Sequence, residues 1–156
     1  PLSNRDPMGY GLVFHKILED SLKATNINIM NSHPLITTLD PKSQKRMHSG
    51  IKKIIDNKEF NSQIQEKTIK TEITLGSKID NKIQIGRIDL ILIDSSEVII
   101  IDYKSDKLPT SSEKNIPDTY YQQLMIYKKM IKEIYPIQKI RTMILWLENG
   151  SLQEIT

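Results

Sequence analysis

The sequence predicts an α/β fold in which helices pack on a mixed β-sheet. Two helical patterns come first, three β-rich segments follow, and a helix and a strand complete the order. Short turns join the three consecutive β-rich segments, so antiparallel pairing is the expected arrangement. A strand–helix–strand connection usually makes its two strands parallel, and the last helix and strand therefore predict a mixed sheet.

Two helices are expected before the strands. Apolar residues recur at helical spacing between Leu12 and Leu22, and a polar loop, residues 26–34, follows them. Asp40 and Pro41 begin the second helix, because aspartate is a good N-cap and proline suits the first helical position. The expected buried residues of this helix are Met47, Ile51, Ile54 and Ile55, and the expected exposed ones are Lys45, Arg46, Lys52 and Lys53.

The β-rich segments are Thr68–Leu75, Lys82–Ile93 and Val98–Lys104, separated by the turn-like stretches GSKIDN and DSSE. A polar loop, DKLPTSSEKNIPD (residues 106–118), follows the third segment. Beyond this loop the spacing of apolar residues becomes helical again. The residues that carry the helical spacing are Tyr120, Leu124, Tyr127, Ile131 and Ile134.

The last part of the chain predicts one more strand. Pro136 ends the helix, and the segment Lys139–Leu147 has the composition of a strand. The stretch ENG then forms a turn, and the tail is expected to be a short hairpin partner of that strand.

Composition limits the classes of protein that the chain can represent. Its 156 residues, 38% of them hydrophobic, are enough for one domain with a substantial core. No stretch approaches the roughly 20 apolar residues that a membrane span needs. The absence of cysteine excludes disulfides, thiolate zinc sites and iron–sulfur clusters, and it is compatible with a cytoplasmic protein.

The net charge of +3 and the isoelectric point near 9.0 permit nucleic-acid binding without requiring it. The first residue is Pro1 rather than methionine, which we interpret as the start of a segment taken from a longer polypeptide.

The stretch VIIIDYKSD (residues 98–106) places charged residues at the end of an apolar strand. Asp102 and Lys104 are two positions apart and project to the same face of an extended chain, whereas Tyr103 projects to the other face. Such charges are buried only when they are paired, bound to a metal or functional. A strand that emerges into solvent with a surface ion pair is the alternative interpretation.

The preceding β-rich segment contains a second unexpected acid. Asp89 lies inside the apolar stretch KIQIGRIDLILID, with Ile91 and Ile93 expected on its own face. A hairpin turn centred between Ser95 and Ser96 would place residue 89 opposite residue 102.

Two opposed carboxylates destabilise a sheet unless a cation or a shared proton lies between them. A divalent ion such as Mg²⁺ meets that need, because it takes oxygen ligands, often one or two carboxylates and water. Lys104 would stand on the same face, where it can offset charge or hold a water molecule. The three residues therefore favour metal-dependent hydrolysis over a surface cluster of charges.

Asp89 and, thirteen residues later, Asp102-Tyr103-Lys104 resemble the signature of PD-(D/E)XK nucleases. The stretches GLVFHKILED, GRIDLIL and YYQQLMIY resemble three further motifs, which belong to the C-terminal nuclease domain of AddA/RecB-type helicase–nucleases. The four motifs occur in the family's order, and the resemblance extends from residue 11 to about residue 147. It implies a restriction-endonuclease-like core, with the metal site on an antiparallel hairpin, a strand linked by a crossover and flanking α-helices.

The resemblance also implies roles for individual residues. Asp89 and Asp102 would bind Mg²⁺, or Mn²⁺ in its place, with the carbonyl of Tyr103 as a further ligand. His15 would be an additional metal ligand, although a lone histidine on a helix is more often a core or boundary residue. Lys104 would position or deprotonate the attacking water and stabilise charge on the phosphate.

Three further residues have weaker support. Gln123 and Tyr127 share one helical face, and by spacing alone they would be packing residues with a polar edge. By resemblance they border the active site, where they contact DNA or support the catalytic lysine. Glu72 matches an acid of the family that precedes the metal strands, but many exposed strands carry glutamate.

The leading hypothesis is therefore a single nuclease domain, residues 1–156, taken from a longer helicase–nuclease chain. It would hydrolyse phosphodiester bonds of single- or double-stranded DNA with Mg²⁺, during processing of double-strand breaks for recombinational repair. Its partners would be DNA and helicase domains of the same or a partner chain, with no membrane. The alternatives are a catalytically idle nuclease fold that binds DNA or a partner protein, and a standalone nuclease of the same superfamily.

Overall fold

A computed structural model describes residues 9–106 and 116–156, which form a five-stranded sheet between two layers of helices. The helices are α1 (Tyr10–Lys23), α2 (Pro41–Ile55), α3 (Lys58–Glu66) and α4 (Asp118–Ile134), with 3-10 helices at Ile27–Ser32 and Pro34–Thr38. The strands are β1 (Thr68–Ile79), β2 (Lys82–Ile93), β3 (Glu97–Lys104), β4 (Lys139–Trp146) and β5 (Ser151–Ile155).

The sheet has the order β1-β2-β3-β4-β5 and is mixed, as the sequence predicts. β1, β2 and β3 pair antiparallel, β4 lies parallel to β3, and β5 returns antiparallel to β4. The predicted crossover is α4, which connects β3 to its parallel neighbour. No helix in the described residues is long and apolar enough to cross a bilayer.

The predicted helices form where their caps and spacing place them. α2 begins at Asp40, whose carboxylate accepts a hydrogen bond from Ser43 N–H at 2.8 Å. Of the side chains expected on its buried face, only Ile55 remains partly exposed. The four basic residues that begin with Lys45 are exposed, which is the predicted arrangement.

Two features differ from the sequence prediction. α3 was not predicted, because Phe60 is its single buried residue and one apolar side chain gives no periodic signal. GSKIDN is not a turn over its whole length, since β1 continues to Ile79 and the turn consists of Asp80 and Asn81. Both turn residues have positive φ values, 51° and 63°, as a two-residue hairpin turn requires.

The predicted polar loop that begins at Asp106 lies largely outside the described residues, which exclude 107–115.

Each face of the sheet has its own apolar core. One core packs beneath α1, α2 and α3, and the other beneath α4. β3 supplies both by simple alternation, with Ile99, Ile101 and Tyr103 in the first core and Val98 and Ile100 in the second. Because both faces of β3 are covered, its sequence is a continuous apolar run rather than an alternating one.

β2 does not alternate in this simple way. Leu90 belongs to the core beneath α1, but Ile88 and Ile91 both belong to the core beneath α4. The alternation is therefore interrupted next to Asp89. The expectation that Ile91 shares a face with Asp89 is wrong, because the local irregularity turns the aspartate carboxylate towards α1, where His15 lies.

β1 is irregular at the same level of the sheet. The two strands pair at Thr71–Leu90 and again at Ile73–Ile88, which leaves Glu72 unpaired in the ladder. Glu72 has φ 50°, a left-handed conformation that is uncommon for a residue with a side chain. Such strained positions persist only where the surrounding structure imposes them, and they are concentrated at functional sites.

Candidate active site

The candidate site lies at the point where β2 and β3 stop pairing. The two strands pair only from Ile93 back to Leu90, which pairs with Ile101, in the register that opposes residues 89 and 102. Beyond that last pair the side chain of Asp89 replaces a backbone partner, because its Oδ2 accepts a hydrogen bond from Tyr103 N–H at 2.8 Å. The predicted hairpin register is thus confirmed, and it brings the two acids together at the end of the ladder.

Asp102 is 5% exposed, and its Oδ2 lies 2.7 Å from Lys104 Nζ. The two side chains share a face, as the sequence predicts, and the side chain of Tyr103 lies in the core on the other face. The lysine forms an ion pair with this oxygen, and no other group in the described residues donates a hydrogen bond to it.

The two carboxyl groups affect each other's pKa. Burial raises the pKa of Asp102 to about 6, and the charge of Asp89 acts in the same direction, against the opposing effect of Lys104. Burial also acts to raise the pKa of Asp89. Its contacts with His15 and with Tyr103 N–H outweigh burial, however, and the pKa of Asp89 is lowered. Asp89 is therefore held in its charged form beside Asp102, which resists ionisation.

This pair fits a hard divalent cation. Two buried carboxyl groups in contact, one of them with an oxygen short of hydrogen bonds, supply the oxygen ligands that Mg²⁺ prefers. As they stand, no three His, Asp or Glu residues among 9–106 and 116–156 are grouped closely enough to form a complete metal-binding cluster.

The carbonyl of Tyr103 faces the same opening. Lys104 C=O accepts a hydrogen bond from Leu147 N–H at 2.9 Å and so points towards the end of β4. Neighbouring residues of a strand direct their backbone groups to opposite sides. The backbone of Tyr103 therefore points towards β2, which its bond to Asp89 also requires.

His15 reaches the carboxylates from α1. Its Nδ1 lies 2.7 Å from Gly11 C=O, and its Nε2 lies 3.4 Å from Asp89 Oδ2. Burial lowers the pKa of His15, but hydrogen bonding and charge interaction with Asp89 outweigh it, so the pKa is raised. If Nδ1 donates to the carbonyl, the ring is fixed with Nε2 facing the acids, which is how second-shell bonds orient metal-binding histidines.

Lys104 is held by α4 as well as by Asp102. Its Nζ donates to Gln123 Oε1 at 3.1 Å and lies 4.2 Å from the ring centroid of Tyr120. Gln123 Nε2 in turn donates to Tyr127 OH at 3.0 Å. The structure thus brings Gln123 to the lysine and places Tyr127 behind it, which favours support of the lysine over simple packing.

The Tyr127 ring also lies against Gly86 of β2, so this side chain links β2 to α4. We expect Tyr127→Phe to keep the packing of the ring while losing the hydrogen bond to Gln123, at a cost of about 1 kcal/mol in unfolding free energy. A less firmly held lysine should lower kcat by up to about tenfold, with KM unchanged.

Tyr121→Phe is the matched control for that prediction, because Tyr121 lies on the same helix with 42% of its surface exposed. Steady-state cleavage kinetics and a denaturant titration would measure both effects. Equal kcat values for the two variants would contradict the supporting role of Tyr127.

Glu72 is the residue that sequence reasoning undervalued. In the β1–β2 register it lies opposite Asp89, and its Oε2 is 2.7 Å from Arg87 Nε. Burial, and then the charge of Asp89, raise the pKa of Glu72, although Arg87 opposes the shift. Neither its register relative to Asp89 nor its backbone conformation was predicted from the sequence, because the predicted turn GSKIDN is not the turn that the structure forms.

The other histidines are bonded elsewhere. His33 Nε2 lies 2.8 Å from Asp20 Oδ2, and His48 Nδ1 lies 3.2 Å from Asn31 Oδ1. Neither of these bonds involves a residue of the candidate site. No sequence motif supports a functional role for either histidine.

Residues 3–153 match the PD-(D/E)XK nuclease superfamily, and the chain belongs to that superfamily. The resemblance drawn from the four motifs is thus confirmed, and the mixed sheet flanked by helices is consistent with its restriction-endonuclease-like fold. Nucleases of this superfamily generally use divalent metal ions.

Two curated relatives are both named as subunits of an ATP-dependent helicase/nuclease. The one from Ruminiclostridium cellulolyticum is 23% identical over 146 residues, which cover 92% of this chain and 11% of the relative. The one from Natranaerobius thermophilus is 26% identical over 99 residues, or 61% of this chain and 8% of the relative. The chain therefore spans about a tenth of the length of the curated relatives that it matches.

Among solved structures, the crystal structure of SSO0001 is similar at 19% sequence identity, with a TM-score of 0.36. The alignment covers 94% of this chain and 65% of that chain. This likeness is too slight to add to the family assignment.

Proposed function

We propose that the chain is a Mg²⁺-dependent deoxyribonuclease domain that hydrolyses phosphodiester bonds of DNA. The observation that carries this proposal is the grouping of Asp89, Asp102 and Lys104 at the opening between β2 and β3. Two buried acids and one anchored cation have little structural purpose at the end of an apolar hairpin, because the acids repel each other.

In this proposal Asp89, Asp102 and the carbonyl of Tyr103 hold the ion, with His15 as an additional ligand. The bound ion would polarise the scissile phosphate and lower the pKa of the attacking water. Gly11 C=O supports the ligand role of His15, because its bond to Nδ1 leaves Nε2 directed at Asp89.

Lys104 has a separate role in the proposal. Its ammonium group carries three donors, of which Asp102 and Gln123 occupy two. The remaining donor is free to position the water or to stabilise negative charge that develops on the phosphate. Tyr120 and Gln123 hold the ammonium group in place, which removes the entropic cost of ordering a flexible lysine during the reaction.

For His15→Ala we expect weaker metal affinity with the fold largely intact, because the imidazole is partly exposed, although the loss of its edge-on contact with the Tyr103 ring should cost some stability. The matched control is His48→Ala, whose ring bonds to Asn31 on the surface. Thermal melting during a Mn²⁺ titration separates the two roles. A loss of stability with unchanged response to Mn²⁺ would show that His15 is a core residue instead.

The wider role rests on the relatives alone. Both are named as helicase/nuclease subunits, and both are far longer than this chain. We propose by analogy that residues 1–156 are one nuclease domain of a longer cytoplasmic helicase–nuclease, with helicase domains as its partners in recombinational repair. A nuclease that acts without a helicase is the alternative within the same superfamily.

The test is incubation of the purified protein with single- and double-stranded DNA, with Mg²⁺, with Mn²⁺ and with EDTA. We expect cleavage only with a divalent ion, and more on linear or single-stranded substrates. Cleavage that continues in EDTA would exclude the proposed mechanism. Binding without cleavage under every condition would favour the catalytically idle module.

A further inference from the structure

We propose that Arg46 of α2 is a positioning residue of the candidate active site, an inference that rests on the proposed function. Its guanidinium group holds the first turn of α1 against the end of β3, and α1 carries His15 whereas β3 carries Lys104. Arg46 acts through its contacts with Tyr10 and Ser105 rather than on the reacting groups themselves.

The guanidinium group of Arg46 contacts three separate segments of the chain. Its Cζ lies 4.1 Å from the ring centroid of Tyr10, which is the first residue of α1. Its Nη2 donates to Ser105 C=O at 3.4 Å, and its Nε donates to Glu148 Oε2 at 2.7 Å in the turn between β4 and β5. A planar guanidinium group stacks on a ring and bonds two acceptors at the same time, and the ammonium group of a lysine does not reproduce that geometry.

The first turn of α1 lies directly against the residue that follows β3. A Cβ atom on Gly11 would lie 3.1 Å from Ser105 Oγ and 3.6 Å from Ser105 Cβ. Ser105 follows Lys104, the last residue of β3, and Gly11 C=O is the group that bonds His15 Nδ1 at 2.7 Å. The distance between these two segments therefore sets the position of His15 relative to Lys104.

α2 is a firm support for this arginine. A Cβ atom on Gly50 would lie 2.7 Å from Leu147 C=O and 3.1 Å from Phe14 Cε2, so α2 approaches both α1 and the turn after β4 as closely as a glycine allows. The helix that carries Arg46 is thus fixed against the two layers that the guanidinium group connects. A side chain that extends from a fixed helix can hold other segments in place.

The contacts of Arg46 are expected to affect position more than global stability. Its side chain is 42% exposed, and an ion pair this exposed contributes little to the free energy of unfolding. Variants at this position should therefore fold, and their metal binding can be measured on the native protein.

Arg46→Ala should weaken Mn²⁺ binding by roughly three- to tenfold, less than the roughly 10–100-fold that is typical of a residue bonded directly to a metal ligand. Loss of a positive charge would by itself strengthen the binding of a cation, so the direction of the change separates positioning from charge. Arg46→Lys keeps the charge and should also weaken binding. Lys45→Ala, the matched control, removes the same charge from the neighbouring exposed residue and should bind Mn²⁺ like wild type. Titration calorimetry of the folded proteins measures all four affinities.

A second comparison tests whether Arg46 acts through His15. In a His15→Ala background, Arg46→Ala should cause no further loss of Mn²⁺ affinity, because the ligand that Arg46 positions is already absent. The same fold-change in both backgrounds is the result expected of a residue that only supports the fold, and it would overturn the proposal.

A measurement without metal or DNA separates this proposal from the proposed function. The chain has no cysteine, and the 3.6 Å between the two Cβ positions at residues 11 and 105 lies within the roughly 3.5–4.5 Å range of disulfides. The rate of disulfide formation in the double variant Gly11→Cys/Ser105→Cys, in a glutathione buffer, therefore reports how closely α1 approaches the end of β3. We expect the disulfide to form several times more slowly when Arg46→Ala is added than when Lys45→Ala is added.

Equal rates of disulfide formation with Arg46→Ala and Lys45→Ala would overturn the Arg46 proposal, whether or not the wild type binds Mn²⁺ or cleaves DNA. If the wild type does neither but Arg46→Ala slows the disulfide, Arg46 holds α1 against β3 as proposed and the nuclease proposal fails. If the wild type cleaves DNA only with a divalent ion and Arg46→Ala binds Mn²⁺ like Lys45→Ala, the nuclease proposal stands and the Arg46 proposal fails.

Discussion

Lys104→Ala should lose cleavage by roughly 10²-fold or more while keeping the stabilisation that a divalent ion provides. The reason is that Lys104 is a cation and cannot ligate the ion, although its Nζ lies only 2.7 Å from Asp102 Oδ2. Removing a positive charge beside the carboxylates should leave metal affinity equal or higher. Lys129→Ala, an exposed lysine on α4, is the control and should retain full activity.

Single-turnover cleavage assays and Mn²⁺-dependent melting would measure these two quantities separately. A Lys104→Ala variant that cleaves at the wild-type rate would leave VIIIDYKSD as a strand that ends in a surface ion pair. A variant that loses both cleavage and the response to Mn²⁺ would instead indicate that Lys104 mainly organises the carboxylates.

Asp102→Asn should be at least as stable as wild type without metal and should gain much less stability when Mn²⁺ is added. The amide removes the charge whose burial beside Asp89 is unfavourable, and it replaces an anionic ligand with a weaker neutral one. Because stabilisation by a ligand follows RT ln(1 + [L]/Kd), a 100-fold weaker site loses about 2.3 kcal/mol of stabilisation when the ion is present at 100 times the wild-type Kd. The rate of DNA cleavage should fall together with the metal affinity.

Asp89→Ala should behave differently in the absence of metal, although it also removes a ligand. Asp89 accepts the hydrogen bond of Tyr103 N–H, and its loss leaves a buried donor without a partner. We expect a cost of about 1–3 kcal/mol in unfolding free energy. Denaturant titrations of Asp102→Asn and Asp89→Ala, with and without Mn²⁺, test both expectations. Wild-type responses to Mn²⁺ in both variants would refute the metal-binding role of this pair.

The central hairpin and its register could be predicted because the relevant signals are local. β-branched runs define β2 and β3, and the DSSE turn fixes which residues face each other. The opposition of residues 89 and 102 depended on these signals alone. The cap at Asp40 was equally readable, since the side chain that bonds Ser43 N–H is specified by residue type and position.

Features that depend on tertiary packing could not be predicted. The interruption at Glu72 and Asp89 occurs where β2 contributes side chains to both cores, and the pattern of a single strand does not contain that information. The order of the contacts from Lys104 through Gln123 to Tyr127 requires α4 to be docked on the sheet. Helical spacing placed Gln123 and Tyr127 on one face of the helix, but it could not reveal that Gln123 contacts the lysine directly.

The contribution of helices from both faces of the sheet has a consequence for biosynthesis. His15 belongs to α1 and Gln123 to α4, so the candidate site joins residues that lie more than a hundred positions apart in the sequence. Contacts of such long range form late, because the intervening chain must first be ordered. A polypeptide that has emerged from the ribosome only as far as Lys104 has the acids and the lysine but not the helix that holds the ammonium group in place. On the proposed function, an unfinished chain would therefore be a poor nuclease, and cutting would begin only after α4 had docked.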